Sequence, residues 1–283
     1  MVSHLLALSA SALWGMADFG GGALTKRISA LRVVVASQAL AAALLVVCVA
    51  ATAGWTEASA GLWYAAVAGV IGPFAMLAFY RALALGPMGV VSPLATVGVA
   101  VPVGLGLLLG DRPGTGQLAG IAVAVLGIAL AGGPERRGGA VGAPVLLLTL
   151  GAAFGFGAVM ALVAQATVDG GLLLSLCVQR LCNVAVGGAA LLALPRASAP
   201  GETGALRRSL PTLTAVGIAD VAANASYAAA AHSGSVAVAS VLASLYPVVT
   251  ALMARGVLKE RLRPVQVIGA GLAVAGTLLL AAG

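Results

Sequence analysis

The sequence predicts an all-α integral membrane protein of ten transmembrane helices, arranged as two inverted five-helix repeats. Only 8% of the 283 residues are charged and 61% are hydrophobic, whereas a soluble domain usually carries about 25% charged residues. The apolar residues form long charge-free runs, and the end of the chain repeats its middle. These three observations exclude a water-soluble fold and indicate a duplicated helical bundle in lipid.

The charge-free runs define the predicted spans. They cover, for example, 33–56, 82–110 and 221–254, and about 20 apolar residues cross a bilayer as a helix. Membrane barrel strands would instead show alternating segments of about 10 residues. The first run lacks a basic segment before it and is therefore interpreted as a span, not as a cleavable signal. We predict spans near 4–25, 33–53, 61–84, 88–110, 114–133, 141–166, 171–194, 210–232, 234–257 and 264–282.

The internal repeat divides the chain into halves. Ser92 and Thr96 align with Ser240 and Ser244 at an offset of 148. At an offset of 149, an acid, an amide and two glycines also align, namely Asp111, Gln117, Gly120 and Gly127 with Glu260, Gln266, Gly269 and Gly276. The sequence therefore predicts one five-helix repeat over 1–135 and a second over 136–283. Duplicated membrane units of this kind are typical of transporters, whose site lies between the repeats.

The basic residues predict the orientation of the bundle. If the loops between the ten spans are numbered one to nine, thirteen of the Lys and Arg residues fall in odd loops and only Arg112 falls in an even one. Because Lys and Arg collect on the cytoplasmic side, the odd loops should be cytoplasmic and both termini outside. Each half has an odd number of spans, so the two halves must enter the membrane in opposite directions. The formal charge of +7 is thus interpreted first as an orientation signal. Anionic lipid head groups are a secondary expected partner, and we expect no nucleic-acid partner.

Several motifs resemble those of the drug/metabolite transporter superfamily and, within it, the ten-helix EamA-type permeases. They are Leu13-Trp14-Gly15 in the first span, FYRALALGP at 79–87, GDRPGTGQLAG at 110–120, KERLRPVQVIGAG at 259–271, and Arg180 in the seventh span, where the first half has Gln38. The resemblance covers nearly the whole chain. It implies two inverted repeats and the export or uptake of small metabolites, often as proton-coupled antiport.

Three charges lie deep within predicted spans, Asp18, Arg180 and Asp220, and none has a counterpart of like charge in the other half. A charge at the centre of a bilayer costs about 2.5–3.5 kcal/mol on insertion scales, so such residues face a bundle interior or a wet cavity. A carboxyl group in apolar surroundings can exchange a proton near neutral pH, which makes Asp18 the predicted proton carrier. The alternative is a structural ion pair of Arg180 with Asp220 or Asp18.

Polar faces at helical spacing supply the candidate substrate ligands. Asp220, Asn224 and Tyr227 share one face of the eighth span, and Gln179 and Asn183 share a face beside Arg180. These side chains either line a substrate path or hydrogen-bond neighbouring helices. Trp14 is either a stacking surface or a core aromatic, and Ser240 and Ser244 are either ligands or packing residues. The predicted substrate-binding residues are Trp14, Gln179, Arg180, Asn183, Asp220, Asn224, Tyr227, Ser240 and Ser244.

The sequence favours a secondary transporter that moves a small metabolite or drug across the bacterial cytoplasmic membrane by alternating access with proton-coupled export. The alternative is a facilitative or exchange carrier without proton coupling, and a more distant one is a membrane-embedded enzyme or a scaffold. Cys48, Cys177 and Cys182 lack metal-ligand spacing, and no phosphate-binding loop is present. We therefore expect no enzyme, no cofactor and no metal; the partners should be a small-molecule substrate, protons and membrane lipids, with the protein a monomer or homodimer.

The orientation can be tested by labelling introduced cysteines in a chain whose native cysteines are replaced by serine. Ala205→Cys, in the predicted cytoplasmic loop, should resist a membrane-impermeant maleimide added to intact cells and react in inverted vesicles, because positive loops stay inside. Ser59→Cys, in an even loop, should show the opposite pattern. Labelling of Ala205→Cys from outside would overturn the orientation.

Overall fold

The computed structural model describes residues 2–99, 101, 114–131, 142–167, 170–193, 202–233, 239, 242–243, 245–259 and 264–282. Within these ranges the chain is helical and contains no strand. The α-helices are α1 (Val2–Leu24), α2 (Ala30–Thr52), α3 (Leu62–Leu85), α4 (Met88–Ala95), α5 (Thr115–Ala131), α6 (Ala143–Ala166), α7 (Leu172–Ala193), α8 (Glu202–Arg208), α9 (Leu210–His232), α10 (Tyr246–Val257) and α11 (Pro264–Ala282).

The helix exteriors are those of a membrane bundle. Four of the described helices, α2, α3, α6 and α7, are both long enough and apolar enough to cross a bilayer. Large apolar side chains stand on the outside: Phe74 is 61% exposed, Leu147 70% and Leu192 77%. Because a water-facing surface seldom exposes so many large apolar side chains, these faces suit lipid, where a helix satisfies its own backbone hydrogen bonds.

Two predicted spans are not continuous helices where the structure describes them. The fourth, predicted over 88–110, is α-helical only to Ala95 and continues as a 3₁₀ turn over Thr96–Val99, where the Gly98 backbone meets Gly157 of α6. The ninth, predicted over 234–257, contains α10 only from Tyr246, with Pro247 in the first turn. Proline fits there because its missing N–H has no partner in a first turn anyway. Pro247 therefore lies at the start of α10.

The helix α8 lies in a segment predicted as a loop. It places Arg207 and Arg208 in its last turn, where positive charge complements the helix dipole. Ala205 and Leu206 pack against the main apolar cluster of the bundle. Packing of these two residues stabilises a helix too short to form alone.

The most extensive helix contacts are preserved when the two halves are exchanged. The exchange pairs α1 with α6, α2 with α7, α3 with α9, α4 with α10 and α5 with α11. Under it, the α1–α9 contact becomes α6–α3, the α1–α10 contact becomes α6–α4, and the α2–α9 contact becomes α7–α3; all six occur. The remaining contacts between counterparts, α2–α7, α4–α10 and α5–α11, map onto themselves.

Two glycines, one in each half, make equivalent close contacts with a neighbouring helix. A Cβ atom on Gly69 of α3 would lie 2.5 Å from the Gln179 carbonyl oxygen of α7, and a Cβ on Gly217 of α9 would lie 2.5 Å from the Ser37 carbonyl oxygen of α2. Only glycine permits this backbone approach, which is how helices associate without a hydrophobic driving force in lipid. The match also makes Ser37 and Gln179 counterparts, and hence Gln38 and Arg180.

The described basic residues, Arg180 aside, belong to helix ends that pack together. The end of α1, the start of α2, the ends of α3 and α10, the helix α8 and the start of α9 all contribute to one apolar cluster. These segments carry or adjoin Lys26, Arg27, Arg32, Arg81, Arg207, Arg208, Arg255 and Lys259. In the part of the chain that the structure describes, the Lys and Arg residues other than Arg180 therefore belong to one end of the bundle.

The close approaches predict which glycines tolerate a methyl group. Gly69→Ala and Gly217→Ala should each lower the free energy of unfolding by about 1–3 kcal/mol, because a backbone carbonyl must move. Gly188→Ala on α7, where nothing lies within 4 Å, is the control and should be neutral or stabilising by up to about 1 kcal/mol. Thermal unfolding in detergent measures all three; equal stability of the Gly69 variant and the control would contradict the packing.

Candidate functional site

A cavity lies between the two halves of the bundle. Its volume is about 100 Å³, counted as the space that the centres of water-sized molecules can occupy. Because a single water needs roughly 10–15 Å³ on that measure, the cavity has room for several waters or part of a small solute. Its walls come from α1, α3, α6, α7, α9, α10 and the segment around α4. The polar and charged residues in them are Trp14, Asp18, Tyr80, Gln179, Arg180, Asn183, Asp220, Asn224 and Tyr246.

The centre of the site is a hydrogen-bonded network on Gln38 of α2. The Gln38 Oε1 atom accepts from Arg180 Nη1 at 2.8 Å and from Asn183 Nδ2 at 3.1 Å. The Gln38 Nε2 atom donates to Asp220 Oδ2 at 3.1 Å. One fully buried amide thus connects a guanidinium, an amide and a carboxylate on α7 and α9.

Arg180 and Asp220 form a buried ion pair. Arg180 Nη2 lies 3.1 Å from Asp220 Oδ2, and the side chains are 4% and 14% exposed. These two atoms are close enough for an ion pair, but the angles at Nη2 do not make the contact a hydrogen bond. The other carboxylate oxygen of Asp220 accepts from Asn224 Nδ2 at 3.1 Å. Pairing and these hydrogen bonds offset the cost of holding both charges away from water.

Asp18 occupies another part of the cavity wall, beside aromatic rings. Trp14, on the same helix, lies 5.7 Å from Tyr227 and 6.4 Å from Tyr246 between ring centroids. Asp18 is partly exposed. No other side chain in the described part of the chain forms a hydrogen bond or ion pair with its carboxyl group.

The structure brings most of the predicted site residues to this cavity. Trp14, Asp18, Gln179, Arg180, Asn183, Asp220 and Asn224 all line it, while Tyr227 is buried against Trp14 and does not line it. Ser240 and Ser244 lie outside the described residues. Of the two ion pairs weighed from the sequence, the structure contains Arg180 with Asp220.

Sequence reasoning missed several residues of the site. Gln38 is the most important, and its signal was present: a polar side chain in a span, at the place where the other half has Arg180. Gly72, whose missing side chain leaves room for the Asn183 Oδ1 atom, gave no polar signal. Tyr80 and Tyr246 also line the cavity, and their contribution became visible only when distant helices were brought together.

The described residues contain no group of three or more His, Cys, Asp and Glu side chains that could hold a metal ion. Cys177 is buried in an apolar cluster with Leu45 and Leu176, in keeping with a packing role. The chemistry available in the cavity is therefore hydrogen bonding, ion pairing, proton exchange and aromatic contact.

The ion pair predicts a non-additive effect of mutation. Asp220→Asn should lower the free energy of unfolding by about 3–5 kcal/mol, because it leaves the Arg180 charge buried without a partner. Combining it with Arg180→Gln should restore part of the loss, since neither charge then remains. A double-mutant cycle by thermal unfolding in detergent measures the coupling; strictly additive losses would contradict the pair.

Comparisons with known proteins bear on the identity of this bundle. The model of the EamA-like transporter family matches residues 1–133 and again 143–282. No curated protein matches the chain. A solved crystal structure is similar over 98% of this chain and 95% of its own, with a TM-score of 0.65 at 16% identity, which shows the fold alone. Because the two family matches cover almost every residue, the chain belongs to the EamA-like transporter family and is a multi-pass membrane protein that transports small solutes.

Proposed function

We propose that the protein is a secondary active transporter that moves a small metabolite or drug across the bacterial cytoplasmic membrane by alternating access, with proton-coupled export. The observation that carries the proposal is the cavity between the halves, whose apolar wall surrounds a compact group of charged and amide side chains. Transporters built from repeats bind substrate at the repeat interface, near the middle of the membrane.

The packing pattern supports alternating access. If all ten predicted spans cross the membrane, five spans per half make the repeats over 1–135 and 136–283 antiparallel, and exchange of the halves preserves the most extensive helix contacts. Two equivalent crossings adjoin the cavity. Gly15 of α1 meets the Tyr246 carbonyl and Val249 of α10, and Gly157 of α6 meets Gly98. Rocking of one half against the other would tighten one crossing and loosen its counterpart, exposing the cavity to alternate sides.

The charge inventory of the cavity supports proton coupling at Asp18. Two carboxyl groups, Asp18 and Asp220, face one guanidinium, Arg180, and the guanidinium is paired with Asp220. A proton on Asp18 therefore changes the net charge of the cavity between −1 and 0. A positively charged group on the substrate would compete with that proton for the same carboxylate, which would couple outward substrate movement to inward proton movement.

The already neutral Arg180–Asp220 pair favours a second candidate, an exchange carrier without proton coupling. In that case Asp18 would bind substrate only. The two candidates differ in one measurable quantity, the movement of protons with substrate.

The location of the positive charge supports the proposed orientation. The basic helix ends meet at one end of the bundle, which we assign to the cytoplasm, with both termini outside. Lipid head groups would contact the same end. The functional unit is a monomer or a homodimer.

Asp18→Asn tests the coupling. The purified protein is reconstituted into liposomes containing a pH-sensitive dye and screened with amino acids, nucleosides, sugars and cationic drugs. We expect a substrate of the unmodified protein to move protons, and Asp18→Asn to reduce proton-driven transport to the level of empty liposomes because the titrating oxygen is gone.

Exchange of labelled for unlabelled substrate and normal membrane insertion should survive in the Asp18→Asn variant. Glu57→Gln, which neutralises an exposed carboxylate in the turn after α2, is the matched control and should retain coupling. Full proton-driven activity in Asp18→Asn would leave the exchange carrier as the better description.

A further inference from the structure

Gln38 occupies a position from which it can control how Arg180 and Asp220 meet. It is the counterpart of Arg180 in the other half, as the matched approaches of Gly69 to Gln179 and of Gly217 to Ser37 show. Its side chain is fully buried and contacts three polar side chains of the site, Arg180, Asn183 and Asp220. A residue that merely filled space at this position would need no amide.

The Gln38 amide occupies one hydrogen-bonding atom of each partner in the ion pair. Asp220 Oδ2 accepts from Gln38 Nε2, and the same oxygen is the one that Arg180 Nη2 approaches at 3.1 Å. On the other side, Gln38 Oε1 holds Arg180 Nη1. The guanidinium and the carboxylate are thereby prevented from closing into the parallel two-bond arrangement that such pairs commonly adopt.

As a consequence, two nitrogen donors of the Arg180 guanidinium lack hydrogen-bond partners. Arg180 Nε and Nη2 are buried without hydrogen-bond partners within the described part of the chain, as are two neighbouring acceptors, Gln179 Oε1 and Asn183 Oδ1. Buried polar groups without partners are unfavourable, and an arginine edge that lacks an acceptor suits a carboxylate. These atoms are covered in the present arrangement, but Arg180 lines the cavity, and rotation of its long side chain can present its edge to a ligand.

The remaining cavity residues restrict the class of ligand that can bind. Met76, Phe156, Val159 and Met160 line it together with the aromatic face of Trp14. A carboxylate attached to an apolar body would fill both parts, with its charge at Arg180 and its apolar portion against these side chains.

We propose that Gln38 is a positioning residue, which holds the Arg180–Asp220 pair partly open so that Arg180 can bind the carboxylate of an apolar monocarboxylate substrate. This inference rests on the proposed transport function and adds a carboxylate at Arg180 to the ligand chemistry of its cavity, while Asp18 remains the site of the proton and of any positively charged group on the same substrate. Loss of the amide would let the pair close, and the site would then lose its preference for the charged ligand.

Trp14 provides the readout. The chain has three tryptophans, and Trp55 and Trp63 are both exposed at the surface, so Trp55→Phe with Trp63→Phe leaves Trp14 as the reporter of the cavity. The probes are 3-phenylpropanoate and 3-phenylpropanamide, which share a shape and differ in charge. Quenching of Trp14 fluorescence in detergent gives the Kd of each.

We expect the reporter protein to prefer the carboxylate over the amide by about 10-fold or more, and Gln38→Leu to abolish that preference while the Kd of the amide stays within about 2-fold. Gln38→Glu, which keeps the size of the side chain but gives Arg180 a competing carboxylate, should also abolish it. Ser37→Ala, whose hydroxyl bonds only within α2, is the matched control and should keep the preference.

The outcomes separate the inference from the transport proposal. Unchanged preference in both Gln38 variants, or an equal loss for the carboxylate and the amide, would overturn the positioning role. Binding of neither probe by the unmodified reporter would overturn the carboxylate assignment while leaving transport in liposomes intact. If Gln38→Leu fails to fold, Gln38→Glu decides the question.

Discussion

The structure depends on the burial of one charge, the Arg180 guanidinium, inside a bundle whose outer surface faces lipid. An unpaired charge at that depth is energetically costly. The surrounding helices therefore supply partners to Arg180, namely Asp220 from α9 and Gln38 from α2. Asn224 in turn donates a hydrogen bond to the second carboxylate oxygen of Asp220. The helices that carry these residues must approach closely enough for 2.8–3.1 Å contacts. Gly69 and Gly217 allow that approach because they bring α3 against α7 and α9 against α2.

The two halves share a packing scheme and differ in chemistry at matching positions. Where one half has Arg180, the other has Gln38, and at the 148-residue offset shared by Gly69 and Gly217, Asp220 corresponds to Gly72. Gly72 leaves the space that Asn183 fills, while Asp220 supplies the carboxylate. Symmetric small residues therefore build the scaffold, and asymmetric polar residues at equivalent places build the site.

Most helices and much of the site could be predicted, because lipid imposes simple rules. Long apolar runs located α1, α2, α3, α6, α7 and α9, and the few charges within those runs located Asp18, Arg180 and Asp220. The rules fail where packing overrides local hydrophobicity. The 3₁₀ turn over Thr96–Val99 forms where Gly98 meets Gly157, and α8 forms because Leu206 reaches the apolar cluster. Neither contact leaves a local signal.

The sequence by itself determined the environment of the chain, the duplication, the asymmetry of its positive loops and the identity of the charges that must face inward, because composition and hydropathy express the cost of placing each side chain in lipid. Only the tertiary structure decided which residues meet. It paired Arg180 with Asp220 and left Asp18 in the cavity wall with Trp14 and Tyr246, and it made Gln38 a hydrogen-bond partner of both charges. Partnership between residues as distant as 38 and 180 depends on how the helices cross, and single-chain hydropathy carries no information about those crossings.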